Sequence, residues 1–171
     1  MSNVSEPTFL KIIGVGSPVG DDDIGWRVSD ALSVAQWLQP WLGHGVELMS
    51  LDRPGVALLE QMGGGSQVVL IDAMSSGRSP EAVVCFTWPF STEAAGLLSS
   101  HGFGVGEALS LGQVLGALPP KIWVWGVEIR LAKGDVGGGR WTTEQISKIL
   151  QPIEKHLQSV IDREIVKFGQ R

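Results

Sequence analysis

Apolar positions along the chain follow two rhythms in turn. Short apolar runs at 9–15, 46–51, 67–73, 82–88 and 121–129 predict five strands. Between them apolar residues recur at helical spacing. From Asp22 the series Ile24, Val28, Leu32, Ala35 and Leu38 predicts a helix that Pro40 and Gly43 stop. A short helix is expected over 56–62, ended by Gly63-Gly64-Gly65. A third starts near His101, capped by Ser99 or Ser100, with Val105, Leu109, Val114 and Leu118 on one face, and is broken by Pro119-Pro120. Residues 91–100 read as a polar loop and 133–139 as a glycine-rich one. Thr142 and Gln145 form a capping box for a last helix, which Pro152 is expected to kink or divide. The fourth strand, closed by Pro89, reads as nearer an edge.

Strands alternating with helices predict an α/β fold, a three-layer α/β/α sandwich around a mostly parallel, five-stranded twisted sheet. At 171 residues, without repeat or linker, residues 1–171 read as a single domain. Composition narrows the function. With 43% hydrophobic and 18% charged residues the chain is globular, and a net charge of −5 offers no footprint for nucleic acid. The single cysteine, Cys85, excludes an internal disulfide and fits a reducing compartment; mid-strand, it reads as an inert buried thiol. No apolar run is long enough to span a bilayer, and the polar start shows no signal peptide. The expectation is a soluble, cytoplasmic protein.

The most informative stretch is 12–25, where an apolar run meets a glycine-rich turn and then three consecutive acids, Asp21, Asp22 and Asp23. Strand ends in a parallel sheet open on one edge, where ligands bind. Asp22 follows the first strand, Asp72 ends the third, and His101 opens the helix after the long loop, so the three could share a crevice. Two carboxylates and an imidazole make a hard-to-borderline donor set that leaves positions open on a metal ion. Each residue also has a plainer role. The aspartates suit a helix start, and His101 suits a cap; Asp72, after four apolar residues, would be costly to bury unpaired. Asp52 and Arg53 either line the crevice or pair within their turn. His44 and His156 read as solvated, and most of the seven tryptophans as core or crevice wall, with Trp26 and Trp41 free to touch a partner.

Other chemistries fit less well. Gly14-x-Gly16-x-x-x-Gly20 suggests a dinucleotide site, but the spacing is one residue too long and an acidic turn repels phosphate. No Gly-x-Ser-x-Gly elbow is present for a serine hydrolase. A non-catalytic binding protein of the same fold stays open.

The blocks Gly14-Val15-Gly16, Gly20-Asp21-Asp22 and Ile24-Gly25-Trp26-Arg27-Val28 resemble the opening motif of the nickel–iron hydrogenase maturation endopeptidases. Val69-Leu70-Ile71-Asp72-Ala73 resembles their third strand, residues 100–109 their histidine-led helix, and Val124-Trp125-Gly126-Val127-Glu128 their final strand. The resemblance implies an endopeptidase that removes the C-terminal extension of the nickel-loaded hydrogenase large-subunit precursor. It implies Asp22, Asp72 and His101 as metal-binding and catalytic residues. The nickel would be supplied by the substrate and bound only transiently, with no organic cofactor. The implied partner is that precursor, with no nucleic acid or membrane, and a monomer is expected. The chain departs from the pattern in several places. Ser17 stands where asparagine is common, Asp22 where others carry glutamate, and Asp23, in place of a small residue, could compete as the first ligand. The turn Asp52-Arg53-Pro54-Gly55 replaces a glycine-threonine turn.

Overall fold

The computed structural model describes residues 7–98, 104–130 and 141–169. Five strands, β1 (Leu10–Gly16), β2 (Val46–Asp52), β3 (Gln67–Met74), β4 (Val83–Thr87) and β5 (Lys121–Glu128), form one sheet in the order β2-β1-β3-β5-β4. The first four neighbours run parallel, and β4 pairs antiparallel with β5 at the edge. Five helices accompany them: α1 (Ile24–Ser33), α2 (Leu58–Met62), α3 (Thr92–Leu97), α4 (Val105–Leu115) and α5 (Thr143–Gly169). The expected three-layer α/β/α sandwich is the observed one.

Side-chain alternation along β3 shows how the layers form. All eight of its residues are buried. Val69, Ile71 and Ala73 pack with α1 and α5, while Val68, Leu70 and Met74 pack with α2, α4 and Leu98. Asp72 has the parity of Leu70 and Met74, so its side chain belongs to the α2/α4 face. The β1–β2 and β2–β3 crossovers lie on opposite faces, because α1 covers one side and α2 the other. Strand order therefore reverses at β1, and a crevice opens between the carboxyl ends of β1 and β3.

Helix α1 lies unusually close to the sheet. A methyl group added at Gly25 would sit 2.1 Å from the Val15 carbonyl oxygen and 2.6 Å from that of Ile71. One added at Gly14 would meet the Gly25 carbonyl oxygen and Ser29 Oγ, each at 2.2 Å. Gly14 and Gly25 of the opening motif are thus spent on helix-to-sheet contact.

Several expectations need correction. Residues 92–97 are the helix α3 and not loop: Ser91 Oγ accepts the Ala94 N–H at 3.2 Å as an N-cap, and the following Leu98 is buried. Helix α4 is described from Val105, with the Gly104 N–H donated to Glu107 Oε2 at 3.0 Å; the expected caps Ser99 and Ser100 lie outside the described residues. Val105 and Leu109 are buried, but Val114 is 84% exposed. A five-residue step turns a helix well past one face, and Ala108 and Gly112 continue the buried stripe. The Thr142/Gln145 capping box is present, with bonds of 2.9 and 3.2 Å. Pro152 does not divide α5, which runs unbroken for 27 residues. Pro152 and Lys148, four residues before it, are both exposed, so water can take the place of the missing bond.

Two further residues depart from expectation. Cys85 is exposed, because alternation on the edge strand β4 turns it outward. His156 is not solvated: its Nδ1 accepts the Trp125 indole N–H at 3.0 Å, and its ring meets Trp123 edge-on. Burial, and then the charge of Arg163, hold its pKa below the ordinary 6.5.

Gly25→Ala is expected to lower stability by about 3 kcal/mol in chemical denaturation, since backbone must move to admit the methyl. A depressed histidine contributes stability that is complete above its unfolded pKa and is lost as pH falls through the folded one. Wild type should therefore lose more stability than His156→Gln as pH is taken from about 7 to about 5.

Candidate active site

The crevice at the reversal point is a cleft of about 280 Å³. Val15, Gly16, Ser17, Val19 and Asp22 line it from the β1 end, Asp72 and Ala73 from β3, and Gly104 and Val105 from the start of α4. Arg53, Pro54, Gly55 and Leu58 close one side, and Leu98 the other.

Asp22 reaches the cleft through a single 3-10 turn, Gly20–Asp23, whose left-handed opening Gly20 makes possible with φ 59°. The turn is tied back to β1. The Ser17 N–H donates to the Asp22 carbonyl at 3.2 Å, and Ser17 Oγ donates to Asp22 Oδ2 at 2.5 Å. Ser17 is itself buried, so this hydroxyl holds one carboxylate oxygen in place. A polar residue directly after the strand's last glycine, Gly16, is the signal by which sequence could have found it.

Asp72 is 7% exposed, and its Oδ1 accepts the Ala73 N–H at 2.9 Å. Burial raises its pKa well above the usual carboxylate range, and the negative charge of Asp22 raises it further. An acid fifty positions away in the chain thus acts on Asp72 across one cleft. A strongly perturbed carboxyl in a concavity is a mark of functional sites.

Asp23, the competing ligand, does not line the cleft. It is buried on the α1 side with Oδ2 accepting Arg27 Nε–H at 2.8 Å. Asp21 also serves structure: Oδ2 accepts the Arg130 N–H at 3.3 Å, and its carbonyl accepts the Trp141 indole at 3.4 Å. Trp26 spends its indole N–H on the Leu51 carbonyl at 2.9 Å, and Trp41 packs edge-on against Phe9. His44 lies exposed in its turn. Glu128, buried at the end of β5, takes N–H groups of Ser76 and Gly77 at 2.9–3.0 Å and so braces the turn after β3.

His101 lies outside the described residues. Among the described residues no group of three or more histidine, cysteine, aspartate or glutamate side chains could hold a metal ion. Asp22 and Asp72 both line the cleft.

Arg53 fulfils both of its readings, and Asp52 only that of a partner within the turn. Arg53 lines the cleft while Nε and Nη2 donate to Asp52 at 2.7 and 3.3 Å. Its backbone has φ 40°, a left-handed conformation that costs a non-glycine residue on the order of 1 kcal/mol.

These features define a doubly wound α/β/α protein with paired carboxylates at its switch point. No protein-family model and no curated protein matches the sequence. Solved structures do match. The hydrogenase-maturating endopeptidase HybD from Escherichia coli has a TM-score of 0.66 at 22% identity, over 89% of this chain and 93% of that one. A hydrogenase 2 maturation peptidase from a Thaumarchaeota archaeon has a TM-score of 0.60 at 17% identity, over 91% and 99%. The [NiFe] hydrogenase maturation protease HycI from Thermococcus kodakarensis has 0.58 at 17%, over 91% and 93%. The chain shares the fold of the hydrogenase maturation endopeptidases.

A raised carboxyl pKa contributes stability that is complete below the unfolded value and is lost as pH rises through the folded one. In the metal-free protein, Asp72→Asn is expected to abolish that downward slope and to melt at or above the wild-type temperature at pH 7, by calorimetry. A large fall in melting temperature would mean that the carboxylate is a structural anchor.

Proposed function

We propose that this protein is an endopeptidase that removes the C-terminal extension of a nickel-loaded hydrogenase large-subunit precursor. The observation that carries the reading is the meeting of Asp22 with buried Asp72 in one cleft at the strand-order reversal. The fold shared with proteins that bear that activity in their names supports it. Nothing favours a dinucleotide: Gly14 is filled by α1, and the floor of the cleft is acidic.

The electrostatics suggest how metal-loaded substrate is told from empty substrate. Alone, the two carboxylates repel each other, and burial disfavours the charge on Asp72. A cation delivered by the precursor opposes both effects and favours the ionised form of Asp72. Two oxygen donors suit a divalent ion and leave most of its shell to the substrate. His101 is the proposed third donor; Leu98 and Gly104, the described residues that bracket its segment, both line the cleft. Water attack on the scissile carbonyl then draws on a carboxylate as base or on polarisation by the metal. In this reading the nickel leaves with the product, no organic cofactor takes part, and the protein acts as a monomer in the cytoplasm. Among the described residues no helix is long and apolar enough to cross a membrane.

The test is co-expression with nickel-loaded large-subunit precursors, reading the carboxy terminus by intact mass. Wild type should shorten one of them. Asp22→Asn, Asp72→Asn and His101→Ala should each slow that cut by at least about 100-fold, the usual cost of losing an acid–base or metal-orienting group. Precursors that all stay full-length beside the wild-type protein would refute the assignment.

A further inference from the structure

Among the described residues the cleft has an acidic floor, apolar walls and a cation at its mouth. Among the described lining residues Arg53 alone carries positive charge. Its backbone is locked, with its N–H donated to the Gly16 carbonyl at 3.0 Å and φ held at 40°. Its side chain is 66% exposed. The bond to Asp52 does not account for this conformation, since adjacent side chains in water can pair from many backbone states, and exposed pairs hold weakly. What the left-handed turn achieves is to bring the guanidinium over the cleft, within the field of Asp22. Asp52 takes Nε and Nη2 and leaves the guanidinium's remaining N–H groups to a ligand.

On the footing of the processing function above, we infer that Arg53 is a carboxylate-binding subsite for the extension that is cut away. The floor beside Asp22 and Asp72 repels an anion. Among the described lining residues, Arg53 at the mouth is the one that offers a carboxylate forked donors. The charge order therefore fixes the direction of the bound segment: its metal end lies on the two aspartates and its extension runs out past Arg53. Two sources share this chemistry, an acidic side chain of the extension and its terminal carboxylate.

The experiment measures kcat and KM on the cleaved nickel-loaded precursor for wild type, Arg53→Ala, Arg53→Gly and Arg53→Lys. Loss of the forked contact should raise KM about tenfold in the alanine and glycine variants, with the loss on KM and not on kcat. Lysine should recover part of it. Glycine adopts the left-handed backbone freely, so Arg53→Gly with a wild-type KM would show that only the conformation mattered and overturn the inference. Two altered precursors identify the source: one with amides replacing the acidic side chains of the extension, one lengthened past its natural end. The substrate change that removes the contact should raise the wild-type KM about tenfold and leave Arg53→Ala no further loss. Losses that multiply, or a wild-type KM indifferent to both changes, overturn the subsite. Wild-type protein that cuts no precursor overturns the processing function and this subsite with it.

Discussion

The contact between Gly25 and the backbones of β1 and β3 governs the rest of the structure. It lets α1 rest directly on both strands, with its third-preceding residue, Asp22, over the crevice between them. Asp72 immediately follows Ile71, whose carbonyl oxygen lies at that same contact. One close approach thus sets the positions of both carboxylates. Side chains larger than hydrogen at Gly14 or Gly25 would lift the helix and carry Asp22 away from Asp72, which is why the opening motif is rich in glycine without being a phosphate cradle.

That placement has an energetic consequence. A carboxyl group on the central strand, buried and facing a second acid, costs stability in the metal-free protein. Functional sites commonly carry such a cost, and the surrounding packing must hold it in place. Here β3 is buried along its whole length, Ser17 restrains one oxygen of Asp22, and Glu128 ties down the turn that follows Asp72. On the opposite face the indole of Trp125 joins His156, fastening α5 to β5. Packing and hydrogen bonds from both sides thus keep the two acids on one cleft.

The cleft also has a gradient of character. Its floor is acidic, Val15, Leu58, Leu98 and Val105 make its walls apolar, and Arg53 stands at its mouth. In the proposed reading, a segment carrying a metal ion at one point and an anion further along meets complementary charge among the described residues in one orientation. Direction and discrimination would then come from the same few side chains.

Much of this was legible in the linear chain. Apolar runs identified all five strands, and Pro89 the edge position of β4. Asp72 was legible because an acid directly after four apolar strand residues is chemically out of place, and Asp22 because it follows the turn at the end of the first strand. Short-range chemistry was legible too, as in the Thr142/Gln145 box. Tertiary structure alone decided the remainder. Helix α3 depends on a serine cap and on packing through Leu98, with no periodic stripe to announce it. The exposure of Cys85 and the burial of His156 depend on which strand is an edge and which helix crosses Trp125. The choice of Asp22 over Asp23 in lining the cleft turns on the rotation of about 120° per residue in a 3-10 turn, too fine for any spacing rule. Periodicity reports which side of an element is buried; it cannot report what that side meets, since the partners are brought together only when strand order and helix approach are set.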